Sequence, residues 1–148
     1  MKIVMGIDTS LITDPLRVAE LASHLLDVVV EVNREYMRRF RGRIPPLLRS
    51  GVKWRQEPWA GAFEEFADCL TVLQRMWGDC DDVSPYRIAE LQEFMGEPAS
   101  HSIYYRENAR RPHFIGGAIV LPPQTYTYHV QVRRGDGAIE DVSRLLGM

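Results

Sequence analysis

The chain has little cysteine, only two among 148 residues. Two cysteines cannot build the disulfide framework of a small secreted protein, so the sequence indicates a reducing compartment. Long apolar runs are also missing: Val28-Val29-Val30 is far short of the roughly 20 residues that a bilayer-spanning helix needs. The first residues lack the pattern of a secretory signal. We therefore expect no signal peptide, no transmembrane segment and no membrane partner, with the protein in a cytoplasm or in a particle assembled there.

An excess of charge of one sign is absent as well, since 18 basic and 20 acidic residues give a net charge of −2. The charges are nevertheless unevenly spread. The stretch from Arg34 to Arg55 contains eight basic residues and one acid, whereas the stretch from Glu57 to Glu97 contains ten acids and two arginines. A basic block can hold phosphate or an acidic protein, but most often it is a solvated helix face or pairs with an acidic part of the same chain. Because no nucleic-acid-binding signature accompanies it, we expect no nucleic acid partner.

Patterns that bind metals and cofactors are missing too. His101, His113 and His129 have no ligand spacing, and the two cysteines form no CxxC pair. The sequence has no glycine-rich phosphate loop and no dinucleotide-binding fingerprint. We expect neither a metal nor a cofactor.

A long amphipathic helix is the first element that the sequence does contain. Thr13-Asp14-Pro15 supplies a cap followed by proline at the first helical position, and apolar residues then recur with helical period as far as Phe40. The predicted helix, about 26 residues within 14–41, would be about 39 Å long. One small core does not need that length. We therefore expect part of this helix to contact another chain, in a homo-oligomer or a larger particle.

Two further helices and then several strands follow, which predicts a single α+β domain over residues 1–148 with an antiparallel sheet. Val83, Ile88, Leu91, Phe94 and Met95 should face inward from the third helix, and Pro85 should lie in its first turn or in a distorted turn before it. The predicted elements are an extended piece at 51–55, helices at Trp59–Trp77 and Cys80–Met95, strands at Ser100–Arg106, Phe114–Leu121, Tyr126–Arg133 and Ala138–Asp141, and a hairpin turn at Arg134–Gly137.

Cys80 is the candidate nucleophile. It follows Gly78-Asp79 at the start of a predicted helix, where backbone N–H groups and the helix dipole favour a thiolate. Buried packing is the alternative for Cys80, and it is the interpretation that we adopt for Cys69, which we place in the middle of the second helix. The aspartates around Cys80 suit a helix start but oppose a thiolate, so a histidine base would be needed.

His129 is the candidate base, because it lies within a predicted strand that would hold it rigidly. The following hairpin returns the chain so that Asp141 can lie beside His129 and fix its tautomer. A histidine in a strand is otherwise a structural residue. The order of helix-start cysteine, strand histidine and next-strand aspartate favours the catalytic interpretation.

Two stretches carry a resemblance to a known family. Gly78-Asp79-Cys80-Asp81-Asp82 with Arg87-Ile88-Ala89-Glu90-Leu91 resembles the cysteine helix of transglutaminase-like cysteine peptidases. The segment from Tyr128 to Gly137, with Ile139 to Arg144, is similar to small transglutaminase-like proteins of tailed bacteriophages and prophages.

The resemblance covers residues 51–148 and implies a papain-like fold in which the cysteine helix packs on an antiparallel sheet. It carries the roles of nucleophile, base and orienting acid over to Cys80, His129 and Asp141. The chain departs from the family at Ser84-Pro85, at Val142, where proline is common, and at Arg110–Thr125, which is extra length that would form a lid or a binding surface.

The oxyanion of the reaction also needs hydrogen-bond donors. The backbone N–H of Cys80 is one source, and the side chain of Gln56 or Trp54 is a second, although both residues suit simple loop packing equally well.

Two functions follow. One is cysteine-dependent amide chemistry on a protein or peptide substrate, as a peptidase, a deamidase or an acyl transferase. The other is a structural or interaction component of a phage head, neck or tail that uses the same fold without turnover.

Overall fold

The first described element is a 25-residue helix. A computed structural model of the protein describes residues 12–57 and 65–148. Helix α1 spans Pro15–Arg39, two residues short of its predicted end. It begins as the sequence predicts: Asp14 accepts the N–H of Leu16 at 3.0 Å, and proline occupies the first helical position.

The remaining described elements are a 3-10 turn, three helices and seven strands. A single 3-10 turn at Leu47–Arg49 follows α1. The elements after it are β1 (Lys53–Trp54), α2 (Cys69–Arg75), β2 (Trp77–Gly78), α3 (Cys80–Phe94), β3 (Ala99–Glu107), β4 (His113–Ile115), β5 (Ala118–Val120), β6 (Tyr126–Arg134), β7 (Ile139–Glu140) and α4 (Val142–Leu145).

These strands form three small sheets in the described part of the chain. The largest is antiparallel with the order β3-β6-β7, and it pairs Tyr104 with His129 and Val132 with Glu140. Strands β4 and β5 form a separate antiparallel hairpin, and β1 pairs with β2 in parallel. The protein is therefore a mixed α+β fold with small sheets, as the order of the sequence patterns predicts at that level.

Helix α3 is the centre of the core. Its residues 81–91 are all buried, and several of their polar groups have partners on distant segments. Arg87 Nε contacts Glu140 Oε1 at 2.7 Å, and Glu90 accepts the N–H of Leu47 at 3.0 Å. On its other side α3 packs against the second half of α1, where Met37 is fully buried. The second half of α1 therefore belongs to the same core as α3.

The second predicted helix is confirmed only in its second half, as α2. Residues 65–68 are not helical, because Asp68 caps α2 and the helix begins at Cys69. It ends at Arg75, because the left-handed backbone of Met76 (φ 61°) turns the chain into β2, which takes up Trp77. The beginning of the predicted helix, residues 59–64, lies outside the described residues.

Two expectations for α3 are wrong: the position of Pro85 and the inward orientation of Phe94 and Met95. The helix starts at Cys80 as predicted, but Pro85 lies in its second turn without interrupting it. Pro85 lacks an N–H, so the only hydrogen bond that the helix loses is the one that Asp81 C=O would accept. Phe94 and Met95, expected to face inward, are 40% and 57% exposed, because the core that surrounds α3 ends with Leu91.

Two strand predictions need correction as well. The predicted strand Phe114–Leu121 is the β4–β5 hairpin, because Gly116 and Gly117 adopt positive φ and reverse the chain. Strand β7 is two residues long, and Asp141 is not part of it but caps α4, accepting the N–H of Arg144 at 3.3 Å.

Part of the basic block pairs with the acidic part of the chain. Glu93 of α3 accepts from Arg34 Nε and from Arg38 Nη2, both at 2.6 Å. These two arginines therefore fix α1 on α3. In the described residues no helix has the length and apolar character to cross a membrane.

Candidate functional site

The two cysteines occupy different environments. Cys80 is the first residue of α3, after the N-cap residue Asp79, and its side chain is partly exposed. Cys69 is the first residue of α2 rather than a mid-helix residue, and it is fully buried. Burial raises the pKa of the Cys69 thiol to about 12, with a further contribution from Asp68. Cys69 is therefore a core thiol with no tendency to ionise at neutral pH, as the sequence predicts, whereas Cys80 lies at the positive end of a helix.

His129 and Asp141 are in direct contact. His129 Nε2 lies 3.2 Å from both carboxylate oxygens of Asp141. An ionised carboxylate can only accept, so Nε2 carries the hydrogen and Nδ1 is the ring nitrogen that can take up a proton. The ring is held further by an edge contact with Tyr104, whose centroid is 5.3 Å away. This pairing is the arrangement that a histidine base requires of its orienting acid.

Asp141 is itself fixed by several donors. Gln131 Nε2 donates to its carboxylate at 3.1 Å, Arg144 donates its backbone N–H, and the Arg144 side chain lies 3.3 Å away. Burial alone would raise the pKa of Asp141, but the hydrogen bonds from Gln131 and His129 outweigh it and lower that pKa below its usual value. Asp141 is therefore a charged acceptor at neutral pH.

Helix α3 runs alongside β6 in the same direction. Ser84 Oγ donates to the C=O of Val130 at 3.1 Å, and Arg87 binds Glu140, which pairs with Val132. The N–H of Arg134 donates to the C=O of Ala138, on the side of β6 where β7 lies. Backbone groups of every second residue in a strand point to the same edge, so the N–H and C=O of Val130 point to that edge too. At the level of Val130, β7 has already ended. Ser84 thus binds β6 where β7 no longer covers it.

This alignment also locates Cys80 along β6. Cys80 precedes Ser84 by one turn of helix, about 6 Å, so it lies on the Tyr128 side of the contact between Ser84 and Val130. Its side chain packs against a buried apolar cluster formed by Leu26, Val29, Phe66 and Val130.

The structure thus joins two of the three candidate catalytic residues and brings the third to the same stretch of β6. Val130 faces the core, so His129 and Gln131 project from the opposite face of the strand. Cys80 approaches from the core side. For the Cys80 thiol to form a hydrogen bond with the His129 imidazole, the two side chains would therefore have to meet at the edge of β6 that β7 leaves uncovered.

The weaker oxyanion candidates lie beside the start of α3. Trp54 pairs with Gly78 in the parallel β1–β2 ladder, and Arg55 donates its N–H to the C=O of Gly78 at 3.0 Å. Gln56 lies two residues after Trp54 and is exposed. The side chain of Trp54 is partly buried and packs against the main core cluster. Gln56 is therefore the more accessible of the two.

The aspartates near Cys80 are less strongly charged than their number suggests. Burial raises the pKa of Asp81 well above its usual range, and the neighbouring Asp79 carboxyl raises it further. Burial also raises the pKa of Asp82, but its carboxylate forms an ion pair with Arg75 and accepts the N–H of Ala67 at 2.7 Å, and both partners favour its charged form. Asp81 with its raised pKa and Asp82 with its arginine partner oppose a thiolate at Cys80 less than three free carboxylates would.

The sequence does not predict three contacts of this site. They are the hydrogen bond from Gln131 to Asp141, the ring contact of Tyr104 with His129 and the hydrogen bond from Ser84 to Val130. Only Gln131 has a sequence signal: it lies two residues from His129, so both side chains are on one face of a strand. In the described part of the chain no group of three His, Cys, Asp or Glu side chains gathers as metal ligands. No protein-family model, curated protein or solved structure matches this chain.

Proposed function

We propose that this protein carries out cysteine-dependent chemistry on an amide, with Cys80 as nucleophile, His129 as base and Asp141 as the acid that orients His129. Cys80 Sγ attacks the carbonyl carbon of a carboxamide or peptide bond, and its proton passes to His129 Nδ1. The same proton then goes to the departing ammonia or amine, which leaves a thioester on Cys80. Water resolves the thioester in a peptidase or deamidase, and an amine resolves it in an acyl transferase.

The observation that carries the proposal is the contact of His129 Nε2 with both oxygens of Asp141. The lowered pKa of Asp141 keeps that carboxylate charged, so it stabilises the imidazolium that forms when His129 takes the thiol proton. The position of Cys80 at the start of α3 adds support, because the helix dipole stabilises the thiolate and the developing oxyanion. Gln56 would donate to the same oxyanion from the end of the β1 segment.

The substrate and setting follow from the family resemblance. The resemblance of the sequence to small phage transglutaminase-like proteins, with the papain-like fold that this resemblance implies, favours a protein or peptide substrate. They also favour action in the host cytoplasm during assembly, or in the virion. No cofactor is required, because the nucleophile, base and acid all come from side chains.

A second candidate function is supported by a different feature. Strands β4 and β5 and the residue after them carry five exposed apolar side chains, which amide chemistry does not need. A structural or interaction component of a phage particle would use such a surface to contact its neighbours. In that case the residues around His129 would serve only to stabilise the fold.

A peptide-turnover experiment separates the two functions. The protein is incubated with a pool of glutamine-containing peptides and a small primary amine, and mass spectrometry detects hydrolysis, deamidation or amine incorporation. The first function predicts turnover by the wild type and by the matched control Cys69→Ala, and loss of turnover in Cys80→Ala and His129→Ala. A folded wild type that gives no product and no acyl-enzyme contradicts it and favours the structural role.

A further inference from the structure

The chain between β3 and β6 forms a projecting arm, residues 108–125. Asn108 closes its base: its N–H donates to the C=O of Thr125 at 2.9 Å, and its side-chain oxygen accepts from Thr127 at 2.7 Å. Gln124 adds a hydrogen bond to the C=O of Asn108 at 2.9 Å. Beyond these hydrogen bonds at the base of the arm, β4 and β5 contact mainly each other within the described part of the chain. The arm is therefore an ordered hairpin that stands away from the core.

The tip of the arm is apolar on both of its faces. Five large apolar side chains there are between 41% and 75% exposed: Phe114, Ile115, Ile119, Val120 and Leu121. Their exposed area is comparable to the few hundred Å² that mark an interaction site on a monomeric protein. The arm carries two arginines, Arg110 and Arg111, and no acid. Its partner should therefore offer apolar surface together with negative charge.

The first half of α1 has those properties. Leu16, Glu20, His24, Asp27 and Val28 share one helix face, and all five are exposed. Leu16 and Val28 are large apolar residues that are 61% and 48% exposed. The helix contributes two acids to this face: Glu20, which pairs with Arg17 at 2.8 Å, and Asp27, whose carboxylate lies 3.5 Å from His101 Nε2. This stripe is thus complementary to the arm in both polarity and charge.

Both surfaces lie at the same end of the molecule. The hydroxyl of Tyr128 donates to the C=O of Pro15 at 3.4 Å, and Thr125, at the base of the arm, is only three strand residues from Tyr128. Two complementary surfaces at one end can meet reciprocally across a two-fold axis. Eight residues separate Asn108 from Gly116, so the arm reaches about 25 Å. The stripe from Leu16 to Val28 is about 18 Å long, within that reach.

We propose that two copies of this chain form a two-fold dimer in which the arm of each lies along the first half of α1 of the other. The apolar tip covers Leu16 and Val28, and Arg110 and Arg111 face Glu20 and Asp27. This dimer explains the length of α1 beyond the core, and it does not depend on the proposed amide chemistry.

Sedimentation velocity over a wide range of concentration tests the dimer. The wild type should sediment as a dimer, and Phe114→Ser/Ile119→Ser should sediment as a monomer with unchanged circular dichroism. The matched control Met95→Ser, which alters an equally exposed apolar residue outside both surfaces, should remain dimeric. A wild type that is monomeric at every concentration, or a dimer that ignores the arm variant, overturns the proposal.

A charge exchange tests the pairing of arm and helix specifically. Arg110→Glu/Arg111→Glu should weaken the dimer about tenfold or more, and adding Glu20→Lys/Asp27→Lys should restore most of that loss. Absence of any restoration overturns the assignment of α1 as the arm's partner. Binding of a monomeric wild type to phosphatidylserine vesicles would also overturn it, because the arm would then serve a lipid surface.

Discussion

Among single substitutions near the candidate site, one that breaks the ion pair of Asp82 and Arg75 should lower the stability of the fold most. The Asp82 carboxylate, fully buried, binds the Arg75 guanidinium and accepts the N–H groups of Ala67 at 2.7 Å and Asp79 at 3.3 Å. It therefore joins the segment before α2 to the residue that precedes Cys80. Asp82→Asn keeps an acceptor for Ala67 but directs an amide towards Arg75 and Asp79, which are both donors.

The expected loss follows from what Arg75 retains. Removing one member of a buried ion pair costs about 3–5 kcal/mol. The Arg75 side chain keeps 17% exposure, stacks on Trp77 at 3.9 Å from the ring centroid and donates to the C=O of Trp77 at 2.8 Å. We therefore expect Asp82→Asn to lower the free energy of unfolding by the lower limit of this range, about 3 kcal/mol. With a urea slope of about 2 kcal/mol per M, the unfolding midpoint falls by roughly 1.5 M.

Urea unfolding followed by tryptophan fluorescence measures this loss. Glu31→Gln is the matched control, because it removes an exposed partner of Arg34 and should cost less than about 1 kcal/mol. Arg75→Met/Asp82→Asn removes both charges, so it should be destabilised by less than the sum of the single variants. A loss below about 1 kcal/mol for Asp82→Asn, or strict additivity in the double variant, would refute the reasoning.

Three further predictions concern α1, the His129–Asp141 pair and the buried thiol. Leu26→Ala should lower the free energy of unfolding by about 2–5 kcal/mol, whereas Leu16→Ala should barely change it; equal effects in urea unfolding would contradict the assignment of Leu26 to the buried face of α1 and of Leu16 to its exposed face. The lowered pKa of Asp141 stabilises the fold above the unfolded value near 3.9, and this contribution is lost as the pH falls through the folded value. Asp141→Asn should therefore flatten the acid limb of a plot of thermal midpoint against pH, and an unchanged limb would argue against the ion pair with His129. Cys69 should resist alkylation in the native protein and react only on unfolding, so rapid native labelling at Cys69 by peptide mapping would show that the core is open there.

Local patterns predicted the elements whose ends are encoded nearby. The cap and proline at Asp14-Pro15 fix the start of α1, and the strand pattern before Arg134 fixes β6 to within one residue. The order of elements also predicted the α+β class. The tight turn after β6 predicts that Asp141 returns to the neighbourhood of His129, and the two are in contact, although Asp141 reaches His129 from the cap of α4 and not from a strand.

Contacts between distant segments could not be predicted in the same way. The mixed polarity of α3 suggests a helix with one solvated face, yet Arg87 and Glu90 are buried because Glu140 and the N–H of Leu47 meet them from other elements. The left-handed backbone of Met76 gives no strong sequence signal, since glycine usually occupies such positions. Asp141 caps α4 rather than continuing β7, which depends on how α4 packs against α3.

The most direct test of the proposed site is the rate of Cys80 alkylation by iodoacetamide as a function of pH, in the wild type and in His129→Ala. A poised thiolate–imidazole pair predicts rapid alkylation of the wild type, with an apparent pKa well below about 8.5, and loss of that reactivity in the variant. Slow alkylation with the pH dependence of an ordinary thiol, equal in the two proteins, would contradict the pairing of Cys80 with His129.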